Sequence, residues 1–363
     1  MAVVTVSILA GCGSNGPPAA IDRVETKTSQ GDRSKNASHQ QSDQELAPLR
    51  VAIAPYQDVG MLVAEKDLGL EKKYGTKLEL VTLAWEDIPN AIASAGQTVD
   101  VGFVGMTDYM SKIEKLNDQE SDPIIYLYPA LLFRGGGFIS FNEKLPVING
   151  KNMNDSKLVA DFLNHKIGAQ RTSCFQMVIY MLARKAGVKP SALHIIDTTL
   201  NDGLLAAMNG SLDMAAAGLP QRTEAIKRHG RVVLSIDTLG VGEINGFACK
   251  QSTYTKRKKD IENLIRIWFD CTNYITTDPE HHSGAVLAYL KKNASTQYSV
   301  AEYKRTIAEE YFPKSVAEAE KELVSSAGQY SLEHQADQIS DYLVESGAAK
   351  AHIPAPKPIK MPP

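Results

Sequence analysis

The chain has 363 residues, of which 43% are hydrophobic, 22% charged and 7% aromatic, a composition typical of a globular protein. Its 39 Lys and Arg against 42 Asp and Glu give a net charge of −3, so it lacks the basic surplus of a nucleic-acid-binding protein. Four cysteines are too few for a disulfide-stapled scaffold, and no run of about 18 apolar residues predicts a membrane span. The length exceeds what a single hydrophobic core usually supports, so we expect two lobes.

The first twelve residues combine a short apolar segment with a cysteine. Leu9-Ala10-Gly11-Cys12 resembles the lipobox of bacterial lipoproteins, which implies a signal peptide over 1–11, cleavage before Cys12 and acyl chains on its thiol. No Lys or Arg precedes the apolar segment, and it is short for a signal peptide, so we expect the true start a few codons upstream. The alternative is a buried N-terminal strand with a chance cysteine.

Residues 13–48 are dominated by Ser, Gln, Asn, Asp, Gly and Pro. Such a segment buries too little apolar surface to offset the entropy lost on ordering. The stretch 12–48 is therefore predicted to be a disordered tether between a lipid on Cys12 and a folded body.

Strand and helix patterns alternate from Leu49 onward. A β-branched run over 49–54 predicts a buried strand that stops at Pro55. The spacing of apolar residues then predicts, in order, the helix 60–73, the strand 78–82, the helix 87–95 and the strand 99–104. This order is typical of an α/β fold with a largely parallel sheet.

A second α/β unit follows, and two units in series predict two lobes around one cleft. Its strands are predicted over 124–127, 137–141, 165–169, 194–197, 212–217 and 232–236, and its helices over 174–186, 202–209 and 223–229. Beyond Cys249 the pattern predicts helices over 258–276, 281–292, 299–311 and 317–344, with Trp268 in the core. The tail 346–363 has five prolines in 352–363 and is expected to form no packed element.

Histidine and cysteine spacings do not predict a metal site or a cofactor. His281 and His282 are adjacent, so they point to different faces of a helix, and a surface helix start is the better interpretation. Cys174, Cys249 and Cys271 show no metal-ligand spacing.

Several short segments of the chain are informative because of the order in which they occur. After the lipobox come Val51-Ala52-Ile53-Ala54-Pro55, the stretch 69–75, Trp85, and the stretches 93–105 and 203–220. Together they resemble the solute-binding proteins of ABC importers, of the nitrate, sulfonate and taurine or thiamine-pyrimidine precursor type, over 49–344. The resemblance implies a type II periplasmic-binding-protein fold, with two α/β lobes around a central cleft and a helical C-terminal part.

The same resemblance divides the body at two crossovers, near 135–141 and 240–247. Lobe 1 is then 49–136 plus 247–345, and lobe 2 is 137–246. Gly135-Gly136-Gly137 suits a hinge because glycine adopts φ values that other residues avoid. A tight turn or bulge in a hairpin is the alternative.

Candidate ligand-binding residues follow from the rule that ligands bind beyond the carboxyl ends of the strands in open α/β sheets. They are Tyr56, Gln57, Trp85, Met106, Thr107, Arg171, Thr172, Ser173, Leu219 and Pro220, together with Glu243 at the second crossover.

Two of these loops lead into helices whose free N–H groups and dipole favour an anion. Arg171 adds a guanidinium able to hold carboxylate, sulfonate or nitrate oxygens, unless it is a surface arginine. Thr107 and Ser173 have the alternative role of helix N-caps. Arg134 and Arg222 are weaker candidates for binding an anion.

The remaining candidates predict other contacts. Trp85 would stack on a flat or methyl-rich ligand, or else pack on the lobe surface, while Tyr56 and Gln57 supply hydroxyl and amide groups. Glu243 would accept hydrogen bonds from an amine or amidine, which favours a zwitterion such as taurine or a pyrimidine. The alternative for Glu243 is a solvated hinge carboxylate.

The leading hypothesis is a lipid-anchored, monomeric solute-binding protein of the bacterial cell envelope, which captures a small anion and docks on the permease and ATPase subunits of an ABC importer. Alternatives are a pyrimidine-binding protein and a sensory ligand-binding module. An enzyme is disfavoured because Cys174 stands alone where pyrimidine synthases of this fold need several cysteines, and no nucleophile has a partnered base at readable spacing.

Replacing Cys12 with Ser removes the thiol that would carry the lipid. We expect the Cys12→Ser protein to move from the membrane pellet to the soluble fraction on cell fractionation, while a Ser14→Ala control stays with the membranes. A Cys12→Ser protein that still pellets with membranes contradicts the lipobox interpretation.

Overall fold

The computed structural model describes residues 47–94, 98–117, 121–294, 297–328 and 330–362. Ala47–Pro363 form one compact unit. The predicted signal peptide 1–11, Cys12 and the tether up to residue 46 lie outside the described residues, so these stay predictions.

Ten strands form two five-stranded sheets in the described part of the chain. They are β1 Leu49–Ile53, β2 Leu78–Thr82, β3 Val101–Gly105, β4 Ile124–Phe133, β5 Gly137–Ser140, β6 Lys166–Gly168, β7 His194–Ile196, β8 Met214–Ala217, β9 Arg231–Ser235 and β10 Glu243–Lys250. The first sheet has the order β2-β1-β3-β10-β4 and the second β7-β6-β8-β5-β9.

Each sheet has four strands in one direction and one antiparallel strand. β10 is antiparallel to β3 and β4, and β5 is antiparallel to β8 and β9. β5 and β10 are also the strands that the chain enters after crossing between the sheets, at 134–136 and at 236–242. The sheets are therefore mixed, and the reversed strand of each follows a crossover.

We name the sheets with their helices lobe 1 (47–133 and 243–362) and lobe 2 (137–235). Because β10 begins at Glu243, residues 243–246 pair in the first sheet, four residues before the boundary that the sequence predicts.

Helices cover both sheets. In chain order they are α1 Leu70–Tyr74, α2 Ile88–Ala93, α3 Met106–Asn117, α4 Ser156–Leu163, α5 Cys174–Ala186, α6 Leu200–Met208, α7 Leu219–Lys227, α8 Gln251–Lys256, α9 Lys258–Thr277, α10 Pro279–His282, α11 Gly284–Asn293, α12 Val300–Ile307, α13 Val316–Ala319 and α14 Leu332–Glu345.

Some predicted helices are divided or begin elsewhere, whereas α5 has the predicted bounds. The expected helix 60–73 is a 3₁₀ helix, Val59–Glu65, separated from α1 by Gly69 with a φ of +61°. α4 is an unpredicted helix, which the Asp155 side chain caps. α7 begins four residues earlier than predicted, because Pro220 fits the first turn of a helix, where a missing N–H costs nothing.

Trp268 on α9 lies at the centre of the lobe 1 core. Its indole N–H donates to the carbonyl oxygen of Ala130 at 3.2 Å, and its ring centroid lies 4.8 Å from that of Phe103 and 5.8 Å from that of Phe247. The side chain is fully buried, so its predicted place in the core is confirmed.

The glycines of the first crossover are required by close packing. None of Gly135, Gly136 and Gly137 has a positive φ, so the prediction that they supply unusual φ values is wrong. A Cβ on Gly135 would lie 2.5 Å from Glu310 Oε1, and one on Gly136 would lie 2.7 Å from atoms of the neighbouring phenylalanine rings. The Glu310 carboxylate instead accepts the N–H groups of Arg134 and Gly135, at 2.6 and 3.2 Å.

The lobes also contact each other beside the crossovers. Arg222 on α7 donates to the carbonyl oxygen of Gly135 and pairs with Glu309 of lobe 1 at 2.7 Å. On the other side, the Tyr342 hydroxyl on α14 donates to Gln176 Oε1 on α5 at 2.6 Å. The Arg222 guanidinium thus binds to the first crossover.

The proline-rich tail packs on lobe 1, although its described residues, 346–362, form neither helix nor strand. The Ile353 side chain is buried, its N–H donates to Ser340 Oγ at 2.7 Å, and the N–H of Ile359 donates to the Leu127 carbonyl oxygen at 2.8 Å. The expectation of no packed element is wrong because the residues between the prolines keep their N–H groups and apolar side chains.

Ile353→Ala should lower the free energy of unfolding by about 2–5 kcal/mol, the usual cost of truncating a buried isoleucine. Lys357→Ala, at an exposed position of the same tail, should leave it within about 0.5 kcal/mol. Urea denaturation compares the two variants, and equal stabilities would contradict the packing of the tail.

Candidate ligand-binding site

A cavity with about 600 Å³ of empty space lies between the two lobes. Its lining comes from both. Lobe 1 contributes Tyr56, Gln57, Asp58, Trp85, Glu86, Asp108, Phe133, Glu243 and Asn245, and lobe 2 contributes Gln170, Ser173, Cys174, Phe175, Leu200, Gly218, Leu219 and Pro220. Part of this space is open to solvent.

The cavity lies where the sheet topology leads one to expect it. Tyr56 follows β1, Trp85 follows β2, Ser173 follows β6 and Leu219 follows β8, so these parallel strands present their carboxyl ends to it. The reversed strand β10 adds Glu243 and Asn245 near its start.

Seven of the eleven predicted ligand-binding residues line this cavity. They are Tyr56, Gln57, Trp85, Ser173, Leu219, Pro220 and Glu243.

Arg171 and Thr172 are not among the lining residues. The Arg171 side chain is 78% exposed, and its Nε lies 3.5 Å from Asp197 Oδ2, a loose surface pair. Thr172 has a φ of +56°, and its hydroxyl donates to the Arg171 carbonyl oxygen. The chain turns sharply here, so Arg171 points to solvent while Ser173 faces the cavity.

Met106 and Thr107 lie behind the lining. Met106 is fully buried in a lobe 1 core cluster, and the N–H of Thr107 donates to Glu243 Oε1 at 3.0 Å. The N-terminus of α3 thus holds a carboxylate of the chain itself. At α5, the Ser173 hydroxyl accepts the N–H of Gln176, so its alternative role as an N-cap holds alongside its place in the cavity.

Glu243 is only 5% exposed, so the alternative that it is a solvated hinge carboxylate is wrong. Burial raises its pKa to about 7, the nearby Asp108 carboxylate adds to this, and hydrogen bonds from Thr107 and the Cys174 thiol oppose it. Burial likewise raises the pKa of Asp58 to about 6.

Asp108 connects the acidic side of the cavity to an aromatic wall. Its Oδ2 accepts the indole N–H of Trp85 at 2.7 Å, and Lys112 pairs with Oδ1 at 3.6 Å. The Trp85 ring lies 6.0 Å from that of Tyr56, centroid to centroid. Phe133 and Phe175 form a second aromatic pair, with centroids 6.3 Å apart at 79°.

The site includes residues that the sequence did not single out. Asp58 and Asp108 each directly follow a predicted residue, so extending each predicted segment by one residue would have found them. Phe133 and Asn245 lie within strands, and only the three-dimensional arrangement of the crossovers shows that they face the cleft.

A second space, of about 730 Å³, adjoins the cavity. It shares the wall formed by Tyr56, Trp85, Glu86, Leu200 and Pro220. These five residues therefore stand between the two spaces.

Three thiols are free and buried, those of Cys174, Cys249 and Cys271. In the part of the chain that the structure describes, no three His, Cys, Asp or Glu side chains are grouped so as to hold a metal ion. Among the helices of the described ranges, none is long and apolar enough to cross a membrane.

Comparisons with known proteins agree on the architecture. Residues 143–282 match a family model described as NMT1/THI5 like. No curated protein sequence matches the chain significantly.

Solved structures extend the comparison to most of the chain. It is similar to the periplasmic aliphatic sulphonate-binding protein SsuA from Escherichia coli, with 16% identity over 87% of this chain and 94% of that one, and a TM-score of 0.61. The periplasmic nitrate-binding protein NrtA from Synechocystis PCC 6803 gives 14% identity, 84% and 82% coverage and a TM-score of 0.59. The Candida albicans CA3427 gene product, described as having the generic periplasmic binding protein fold, gives 14% identity over 87% of this chain and 98% of that one, with a TM-score of 0.56. The predicted periplasmic-binding-protein fold is confirmed.

Glu243→Gln should change how stability depends on pH. The pKa of Glu243 is about 7 in the folded protein against an ordinary 4.5, so the folded state holds an extra proton between these values and its stability falls as the pH rises through them. Relative to wild type, we expect the variant to gain up to about 1.4 kcal/mol in the free energy of unfolding per pH unit in this window.

Urea denaturation at several pH values measures this difference, with Glu333→Gln at an exposed position as the control. A difference between wild type and Glu243→Gln that does not vary with pH would contradict the raised pKa.

Proposed function

We propose that the protein is the solute-binding component of an ABC importer and captures a small organic molecule between its lobes. The observation that carries this proposal is the cavity, which is lined by both lobes, while within the described residues the chain crosses between the two sheets only at 134–136 and 236–242. Two rigid units joined by short connections can close around a ligand and exclude water from it.

The comparisons support this proposal. Two of the similar structures are described as periplasmic binding proteins for a sulphonate and for nitrate, and the fold is the same. The protein would bind its solute without chemistry of its own, and would deliver it as a monomer to permease and ATPase subunits.

The proposed location is the bacterial cell envelope, facing the periplasm or the exterior. A lipid on Cys12 would hold the protein on the membrane, with the segment 12–48 as its tether. The lipobox-like Leu9-Ala10-Gly11-Cys12 is the support for this part of the proposal.

A low-molecular-mass extract of cells should raise the melting temperature of the purified protein. A ligand that binds only the folded state stabilises it by RT ln(1 + [L]/Kd), about 2.7 kcal/mol at a hundred times Kd. Native mass spectrometry of the stabilised protein would give the mass of the bound molecule.

Trp85→Ala should lose most of this shift, because it removes part of the cavity wall. Leu205→Ala, at a position 59% exposed on α6 and away from the cavity, should keep it. Each shift is measured against the melting temperature of the same variant without extract. An extract that stabilises neither wild type nor Leu205→Ala would argue against the proposed function.

A further inference from the structure

We infer that the solute is an organic cation, with a protonated amine or amidinium group on a flat apolar body. The inference rests on the proposed function, since it names the ligand class of the same cavity. It departs from the anionic class that the sequence predicts.

The charges in the lining have one sign. Asp58, Glu86, Asp108 and Glu243 line the cavity, and none of the described lining residues is Lys or Arg. Lys112 pairs with Asp108 from outside the lining and neutralises part of one charge. The remaining carboxyl groups oppose an anionic ligand when they are ionised, and a cationic ligand would favour their ionised forms.

The helix N-termini that would favour an anion are occupied by groups of the chain. Glu243 takes the N–H of Thr107 at the start of α3, and the Ser173 side chain caps α5. At the start of α7, Pro220 has no N–H to donate. At α3 and α5, one N–H group of the first turn is therefore already bonded to a side chain of the protein.

The side-chain amide oxygens of two buried lining residues lack hydrogen-bond partners. Gln57 is 1% exposed and Asn245 is 4% exposed, and neither Gln57 Oε1 nor Asn245 Oδ1 has a partner. Leaving a buried acceptor unpaired is unfavourable, so a ligand that donates N–H groups would recover that free energy. An ammonium or amidinium group supplies several such donors, whereas a sulfonate supplies none.

Aromatic rings complete the site. Tyr56 and Trp85 form one wall, while Phe133 and Phe175 form another. Aromatic faces attract cations and also stack on flat apolar groups. The carboxylates beside these rings could therefore pair with a charged nitrogen, while the rings stack on the flat apolar part of the same ligand.

Three probes that share one ring test the charge directly. We expect benzamidinium to raise the melting temperature of the wild-type protein, neutral benzamide to raise it less, and benzenesulfonate to leave it unchanged. Titration calorimetry on the same three compounds measures the dissociation constants.

Two variants test the carboxylates. Glu243→Gln and Asp58→Asn keep the shape of each side chain and remove its charge, so each should weaken benzamidinium binding by roughly tenfold to a hundredfold. Asp197→Asn removes a carboxylate that does not line the cavity and is the matched control, with unchanged binding. The wild-type comparison of the three probes stands even if a variant fails to fold.

The inference is overturned if benzamidinium gives no shift, or if benzenesulfonate binds more tightly than benzamidinium. Sulfonate binding that is lost in Arg171→Ala would restore the anionic hypothesis. In either case, the cell-extract assay decides separately whether the protein binds a solute at all, so the two proposals fail independently.

Discussion

The buried carboxylate of Glu243 lies where the two lobes face each other. One of its oxygens accepts the N–H of Thr107 at the start of α3, and the Cys174 thiol of the other lobe opposes the rise in its pKa. A carboxylate removed from water in this way is costly unless it is paired. The same constraint explains its raised pKa and its hydrogen bond from the first turn of α3, and it underlies the inferred preference of the cavity for a hydrogen-bond donor.

Much of the architecture could be predicted from periodicity, because alternating strands and helices leave a clear pattern of buried positions. The bounds of α5 and the place of Trp268 follow from that pattern. The rule on carboxyl ends also picked out Tyr56, Trp85, Ser173 and Leu219, which line the cavity.

Side-chain direction within a loop could not be predicted in the same way. Arg171 and Ser173 are two residues apart, yet Arg171 points to solvent and Ser173 to the cavity. The reason is the positive φ of Thr172 between them, which no sequence pattern predicts. Glu243 lies on a strand whose direction depends on the crossover before it. The packing of the tail could not be predicted, because the number of prolines does not show which contacts the residues between them make.

The three buried thiols have a consequence for how such a chain would mature. Cys174, Cys249 and Cys271 lie on α5, β10 and α9, which are far apart in sequence and become sequestered only when the elements around them have packed. In an oxidising compartment, an exposed thiol is open to pairing with any other. In the proposed envelope location, these thiols would have to be buried before they are oxidised, and delayed folding would favour crosslinked, misfolded chains.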